Sequence, residues 1–386
     1  MKKRLGMNKR TFGRILFVIL VWRFFLFFVL FFSQRWLGLQ NDFLGGGKSL
    51  YISNPYLWSW LNFDGEHYLA IAREGYRPLT YFFFPLYPIV VKYLSELLGG
   101  SLVDYAISGL FISNGLFIGV LVGLFKLLRL DYEDKDVWRV IFLLLIFPTS
   151  FYFGAYYTES LFMFLAVWSF YLARRKKWFW VGILGSLATA TRVIGIMLLP
   201  ALLIEWWLES GKKKSVNLNL IYVFLIPAGL VIYMYYLTKV AGDPLEFLHS
   251  VEIFGSQRSA SFVMLPQVFY RYVFKIIPSL TGYWPVVFVT LMEFLVGVLF
   301  LVLSVLGWWK LRRSYWVFMV GGYVVPTLSG SFSSLPRYVL PLFPGFILLS
   351  FYVGKLPKFV RWVVYVVLTS GLVVASAMFM RGYWVA

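Results

Sequence analysis

Long apolar runs alternating with short basic clusters restrict this chain more than any motif does. The runs read at about 14–34, 104–128, 137–155, 158–173, 178–191, 193–208, 218–240, 285–307, 315–329, 338–353 and 359–380. A helix needs roughly 20 apolar residues to cross about 30 Å of hydrocarbon. With 60% of 386 residues hydrophobic and only 14% charged, a soluble domain could not hide so much apolar surface. The expected fold is an all-α polytopic membrane protein with about 11 transmembrane helices. No linker rich in Ser, Gly or Pro divides the chain and no repeat is evident, so residues 1–386 read as one integral membrane domain.

Charge sets the expected orientation. A net charge of +19 invites a nucleic-acid partner, but the cations stand in clusters between apolar runs, as membrane topology demands. No nucleic acid is expected. One set of loops holds Lys2, Lys3, Arg4, Lys9, Arg10 and Arg14; Lys126, Arg129, Lys135 and Arg139; Arg174 to Lys177; Lys212 to Lys214; Lys310, Arg312 and Arg313; and Lys355, Lys358 and Arg361. The positive-inside rule puts these in the cytoplasm, with the N-terminus inside and the C-terminus outside; the plasma membrane is the expected location. Residues 82–98 are apolar but carry Pro85, Pro88, Lys92 and Glu96. Counting them as a crossing would turn every later basic loop outward, so they read as a helix docked on or dipping into the outer face. The first run lacks a small-residue cleavage site and reads as a retained anchor. Two large extracytoplasmic loops follow, at 35–103 and 241–284, rich in aromatics and with interfacial helices expected. The absence of cysteine excludes disulfides, Cys-ligated zinc and thiol chemistry. No Gly-rich phosphate loop is present.

Polar residues inside such a chain need a reason. The first group is Asn62-Phe63-Asp64-Gly65-Glu66-His67-Tyr68, just beyond the first run. Asp64 reads either as the N-cap of a helix over Gly65–Arg73 or as an acid–base group, and the two are compatible. In a helix, Asp64 shares a face with His67 and Tyr68 while Glu66 points elsewhere; in an extended segment, Asp64 and Glu66 share a side. We take Asp64 as the base and Glu66 as its support. The second group runs from Phe147-Pro148-Thr149-Ser150 to Tyr156-Tyr157-Thr158-Glu159-Ser160. Glu159 is a carboxylate close to hydrocarbon, which is costly, although the first turn of a helix also favours an acid. Arg192 and Arg337 are cations on the outer side, against the charge bias. Each either snorkels to headgroups or binds a phosphate through its planar fork. Tyr338 adjoins Arg337. His67, Tyr68, Tyr157, Glu159 and Tyr338 are expected to contact substrate. Gly242-Asp243-Pro244 reads as a turn, and His249 and Arg258 beyond it could reach an acceptor. Glu293 lies within a span and should face protein or a wet cavity.

In their order these pieces resemble the family of the second mannosyltransferase of GPI-anchor assembly (PIG-V), in its bacterial branch. The matching segments are Phe63-Asp64 with Tyr68, Ile71-Ala72 and Gly75-Tyr76; Phe83 to Pro88; Phe147 to Ser150 through Tyr157 to Phe162; Thr191-Arg192 with Gly195 and Pro200; Gly242-Asp243-Pro244 with Phe247; Arg337-Tyr338 with Phe343-Pro344; and Gly382 to Ala386. Phe63 stands where the family often has Trp. The resemblance implies a glycosyltransferase of the C superfamily (GT-C), with a helical bundle and an essential acid in the first outer loop, here Asp64. It implies a polyprenyl-phosphate mannose donor and a glycan, glycolipid or protein acceptor outside the cell. The expected chemistry is a single inverting displacement, with Asp64 as general base and Arg337 and Arg192 on the donor phosphate. No metal is expected to be essential, since arginine can balance the phosphate; Mg²⁺ or Mn²⁺ on the Asp64/Glu66 pair stays open. The alternative is a transporter or lipid flippase, but its key polar residues would gather near the midplane.

Overall fold

The structure is a computed structural model that describes residues 7–210, 219–250 and 262–385. Lys2, Lys3, Arg4, Lys212, Lys213, Lys214, Arg258 and Ala386 lie outside the described residues. Among the described residues every regular element is helical. In chain order the principal helices are α1 (Lys9–Trp36), α2 (Asp64–Glu74), α3 (Leu86–Leu98), α4 (Leu102–Leu128), α5 (Asp134–Leu145), α6 (Glu159–Arg174) and α7 (Trp178–Thr189). They continue with α8 (Leu198–Ser210), α9 (Ala228–Val240), α10 (Trp284–Lys310), α11 (Arg313–Thr327), α12 (Phe343–Lys355) and α13 (Lys358–Met380).

Four of these, α1, α4, α10 and α13, are long and apolar enough to cross a bilayer. On α1, Phe17, Leu20, Phe24 and Phe28 stay exposed on the outside of the bundle, as lipid-facing side chains do. Starts are marked by caps: Asn8 accepts from the Thr11 amide, and Ser101 with Asp104 forms a capping box.

The remaining apolar runs differ from uniform spans. Run 137–155 is helical only to Leu145, then winds through a 3₁₀ turn at Ser150–Gly154. Run 218–240 is interrupted before Ala228 at Pro227. Run 338–353 becomes helical only at Phe343, with Pro344 in its first turn. Proline removes an amide donor and crowds the preceding turn. A 12-residue helix such as α5 rises only about 18 Å, short of the hydrocarbon thickness. The stretch Thr149–Thr158, which departs from the α-helix, is buried throughout, the condition under which irregular backbone is tolerated inside a membrane protein. Stretches 35–103 and 241–284 carry short helices, including Lys48–Ser53, α2, α3, Glu246–His249 and Leu265–Arg271. Helix α3 packs on α2 and α4.

Two polar clusters stand at opposite ends of α6. At its C-terminus Arg174 makes a bidentate pair with Asp131 at 2.6 and 2.9 Å. Arg312 reaches Glu205 at 2.8 Å and Glu209 at 2.9 Å in the same network. These groups tie together the ends of α4, α6 and α8 and the start of α11, and they belong to the loops that charge bias groups on one side. About 22 Å away along α6, at 1.5 Å per residue, Glu159 begins the second cluster.

Candidate active site

Asp64 opens α2, at its first residue and not as its cap. The cap position falls to Phe63, with φ at +58°, a region an L-residue rarely occupies and one that surrounding structure must enforce. Buried Asn62 supplies part of that enforcement. Its side chain accepts from the Gly45 amide at 2.8 Å and donates to the Phe379 carbonyl at 2.8 Å. Its own carbonyl accepts from the Tyr157 hydroxyl at 2.8 Å.

Arg337 comes from the one-turn helix Leu335–Tyr338, whose preceding residue Ser334 is also strained, at φ +62°. Thr149 donates to the Pro336 carbonyl at 2.7 Å, and the Ser334 amide donates to Glu293 at 3.3 Å. The broken run after α5 and the acid in α10 therefore hold this turn together.

The four charged groups join in one chain. Arg337 Nη1 donates to Asp64 Oδ2 at 2.5 Å, and Arg337 Nε lies 3.5 Å from Glu159 Oε1. Arg192 Nη1 donates to the same Glu159 oxygen at 2.7 Å. The side chains are 5% (Arg337), 1% (Glu159), 10% (Arg192) and 15% (Asp64) exposed, so Asp64 is the member most open to a ligand. Rings brace the cations: Tyr338 lies 5.0 Å from the Arg192 guanidinium and 5.2 Å from that of Arg337. Burial works against the Arg337 cation, but Asp64, Tyr338 and Glu159 outweigh it and hold it well above its ordinary value.

Two cavities meet at Asp64, Phe82 and Arg337. The larger, about 820 Å³, is lined by Asp42, Phe63, His67, Thr80, Thr290, Glu293, Ser334, Tyr383 and Trp384 besides those three. The smaller, about 350 Å³, adds Tyr68, Phe84, Arg192, Val193, Phe247, Val325, Leu328 and Tyr338 to them and is the more oily of the two in its side chains. Both fall within the usual range for ligand sites. Backbone strain gathers at the larger. Of the five described non-glycine residues with positive φ, four (Phe43, Phe63, Leu79 and Ser334) line it, the clustering expected of a functional site.

The helical reading of 64–74 separates the first motif. Asp64, His67 and Tyr68 all reach a cavity; Glu66 lines neither, because two residues along a helix is more than half a turn. Glu66 is thus not beside the Asp64 carboxylate, and burial raises its carboxyl above the ordinary value. His67 stacks on Phe83 with ring centroids 4.9 Å apart. Burial lowers its imidazole and Asp64 partly offsets that. Burial pushes the Tyr68 phenol up, so it stays a neutral hydroxyl.

Tyr157 lines neither cavity; its ring lies 5.4 Å from the Arg337 guanidinium and backs that residue. Glu159 lies behind the cavity surface as the bridge between both arginines. His249 pairs with Asp243 at 2.5 Å, is exposed and lines neither cavity. Glu293 faces the larger cavity, as an acid within a span should, and accepts from the Tyr272 hydroxyl at 2.8 Å. Sequence reasoning passed over Asn62 as a positioning residue and Asp42 as a lining residue. The polar Asn62 in Trp60-Leu61-Asn62-Phe63 was a usable signal; Asp42 carried none.

A multi-pass helical membrane protein with a buried acid–arginine chain between two cavities is the class that fold and site define. Residues 17–238 match the family profile described as "Mannosyltransferase (PIG-V)", and the chain belongs to that family. No curated protein matches it significantly. Among solved structures it is similar to the Archaeoglobus fulgidus oligosaccharyltransferase, crystallised with Zn and sulfate. There the identity is 13% and the TM-score 0.45, over 93% of this chain and 53% of the other. The chain thus spans about half the length of that protein.

Proposed function

We propose that the protein is a membrane mannosyltransferase that moves a hexose from a polyprenyl-phosphate sugar to an acceptor hydroxyl on the extracytoplasmic face, with inversion. The observation that carries this reading is that Asp64 and Arg337 stand in the wall shared by two cavities, one oily and cationic, the other richer in acids and hydroxyls. A lipid-linked phosphate suits the first: apolar walls for the prenyl chain, with Arg192 and Arg337 at the end for the phosphodiester. The acceptor enters the second. Its hydroxyl attacks the anomeric carbon at the junction, the carbon–phosphate oxygen bond breaks, and the proton passes to Asp64. Arg337 and Arg192 stabilise the departing lipid phosphate.

Asp64 is held by Arg337 before substrate arrives. A phosphodiester that takes up Arg337 competes for that hydrogen bond and frees the carboxylate, so the donor itself arms the base. The charge alternation of the loops supports an outer-side site and a cytoplasmic N-terminus. The cluster sits at helix ends and no internal repeat is evident in the sequence, so the transporter reading has less support. Asp64 and Glu66 diverge on α2, so they do not form a chelating pair, and the arginines supply the positive charge.

Purified protein in lipid nanodiscs, given radiolabelled polyprenyl-phosphate mannose and a panel of glycosides, tests the proposal. Labelled glycoside product is the expected result. Intact donor after prolonged incubation with every acceptor, or donor carried across vesicles without transfer, would overturn it.

A further inference from the structure

Away from the transfer site, an open cleft lies between the start of α1 and the start of α5. It measures about 790 Å³ and is lined by Arg10, Thr11, Arg14, Asp134, Lys135 and Trp138. Arg10 and Arg14 are exposed and stand one turn apart on one face of α1. The Arg14 guanidinium lies 4.2 Å from the Trp138 ring centroid, and that ring is itself seated against Phe125 at 5.6 Å. Stacking holds the fork in place before a ligand arrives.

The four acids of segment 131–136 each have a cation already. Asp131 pairs with Arg174 at 2.6 Å, Glu133 with Lys135 at 2.9 Å, Asp134 with Arg129 at 2.7 Å and Asp136 with Arg139 at 3.0 Å. Arg10 and Arg14 reach no carboxylate among the described residues. Both are therefore available to an anion from outside the chain.

Depth and shape say which kind of anion. Helix α1 has 28 residues and rises about 42 Å, against about 30 Å of hydrocarbon. Roughly 20 residues from Ile15 onward fill that thickness, so Arg10 and Arg14 fall at the depth of lipid headgroups. On the same face, seven and eleven residues beyond Arg10, stand Phe17 and Val21, 65% and 52% exposed. A charged cleft thus continues into an apolar stripe along the helix, the profile of a phospholipid.

We propose that the cleft binds one anionic phospholipid, its phosphate on Arg10 and Arg14 and an acyl chain along Phe17 and Val21. The apolar stripe commits the site to a lipid rather than to free phosphate. Loop charge assigns it to the inner leaflet, but binding depends neither on that orientation nor on sugar transfer. Each arginine should favour an anionic over a zwitterionic headgroup by about fivefold.

The full chain is purified into detergent micelles with equal amounts of phosphatidylglycerol and phosphatidylcholine, and the retained lipids are counted by native mass spectrometry. One tightly held lipid should be phosphatidylglycerol, by at least about tenfold. The double variant Arg10→Gln/Arg14→Gln should lose that preference. Lys355→Gln/Lys358→Gln, which removes two exposed cations from another basic loop, should keep it. Arg14→Gln alone is the milder change, should lose about fivefold, and decides the matter if the double variant unfolds. Excess inorganic phosphate should leave the lipid in place. Equal retention of the two lipids, equal loss in both double variants, an unchanged preference in Arg14→Gln, or displacement by inorganic phosphate would each overturn the proposal.

Discussion

Asp64→Asn separates catalysis from binding more sharply than any other change at this site. In the resting protein Asp64 accepts from Arg337 at 2.5 Å. The Asn amide still accepts a charge-assisted hydrogen bond from the Arg337 cation, but the ion-pair attraction is gone. With about 1 kcal/mol of that attraction removed, the donor phosphate displaces a weaker contact and donor affinity should rise about fivefold. If Asp64 is the general base proposed above, its loss should slow transfer about 10²–10⁴-fold, or about 2.7–5.4 kcal/mol at 1.36 kcal/mol per decade. Folding should survive. Breaking a fully buried pair costs about 3–5 kcal/mol, but here Glu159 still faces Arg337 and the amide keeps the hydrogen bond, so the loss should fall below that range. The assay is donor binding to the variant in nanodiscs beside single-turnover transfer. Weakened donor binding in step with lost turnover would make Asp64 a structural brace and refute the arming argument; near-normal turnover would remove it from the chemistry altogether.

Arg337→Lys keeps one charge but not the planar fork that now spans Asp64 and Glu159; donor KM should rise and kcat fall, by about a hundredfold together in kcat/KM for one lost charge-assisted contact, as steady-state kinetics would show. Glu66→Gln should leave transfer within about threefold, because Glu66 lines neither cavity. It should also change the pH dependence of stability. Burial raises the Glu66 carboxyl above its ordinary 4.5, so the folded state holds a proton more tightly than the unfolded chain, and ionisation erodes stability as pH rises through that interval. Thermal unfolding from pH 4 upward should show the Gln variant losing less stability than the parent over that rise. EDTA should leave transfer unchanged; loss of activity restored by Mg²⁺ or Mn²⁺ would put a metal at the site.

Much of the fold is written in the apolar runs, because burial in lipid imposes a length and an apolar composition that survive any detail of packing. The breaks were less legible. Residues Phe147 to Thr158 read as parts of two spans with a turn between them, and Pro148 hinted at more. What the pattern could not show is that the turn is wound into protein and satisfies its backbone there. The site was legible as an unordered set. Asp64, Glu159, Arg192 and Arg337 each stand out as charges in apolar surroundings, but no spacing says that Glu159 lies between the two arginines or that Asp64 faces Arg337 across 273 residues of sequence. Glu66 as support for Asp64 needed the extended alternative for residues 64–68, and the helix over Asp64–Glu74 turns it away. Asp42 left no trace because an exposed acid in a turn is ordinary until a cavity opens beside it.

The placement of the cluster follows from the breaks themselves. Asp64 and Glu159 are the first residues of α2 and α6, Arg192 follows the end of α7, and Arg337 sits on a single turn. An unbroken span satisfies its own backbone and has nothing polar to offer; a broken one exposes amides and carbonyls that must find partners. Here side chains supply them: Ser150 donates to the Leu145 carbonyl at 2.6 Å, Ser160 to the Phe153 carbonyl at 2.7 Å, and Tyr157 to that of Asn62. The polar residues that make the breaks affordable also fix the backbone on which the charged chain is mounted. Strain at Phe63 and Ser334 is held by the same contacts, through Asn62 on one side and Glu293 on the other. Asp64 and Arg337 are therefore positioned from behind by a scaffold that a ligand does not have to build, which is the condition under which fixed charges favour a transition state over a solvated ground state.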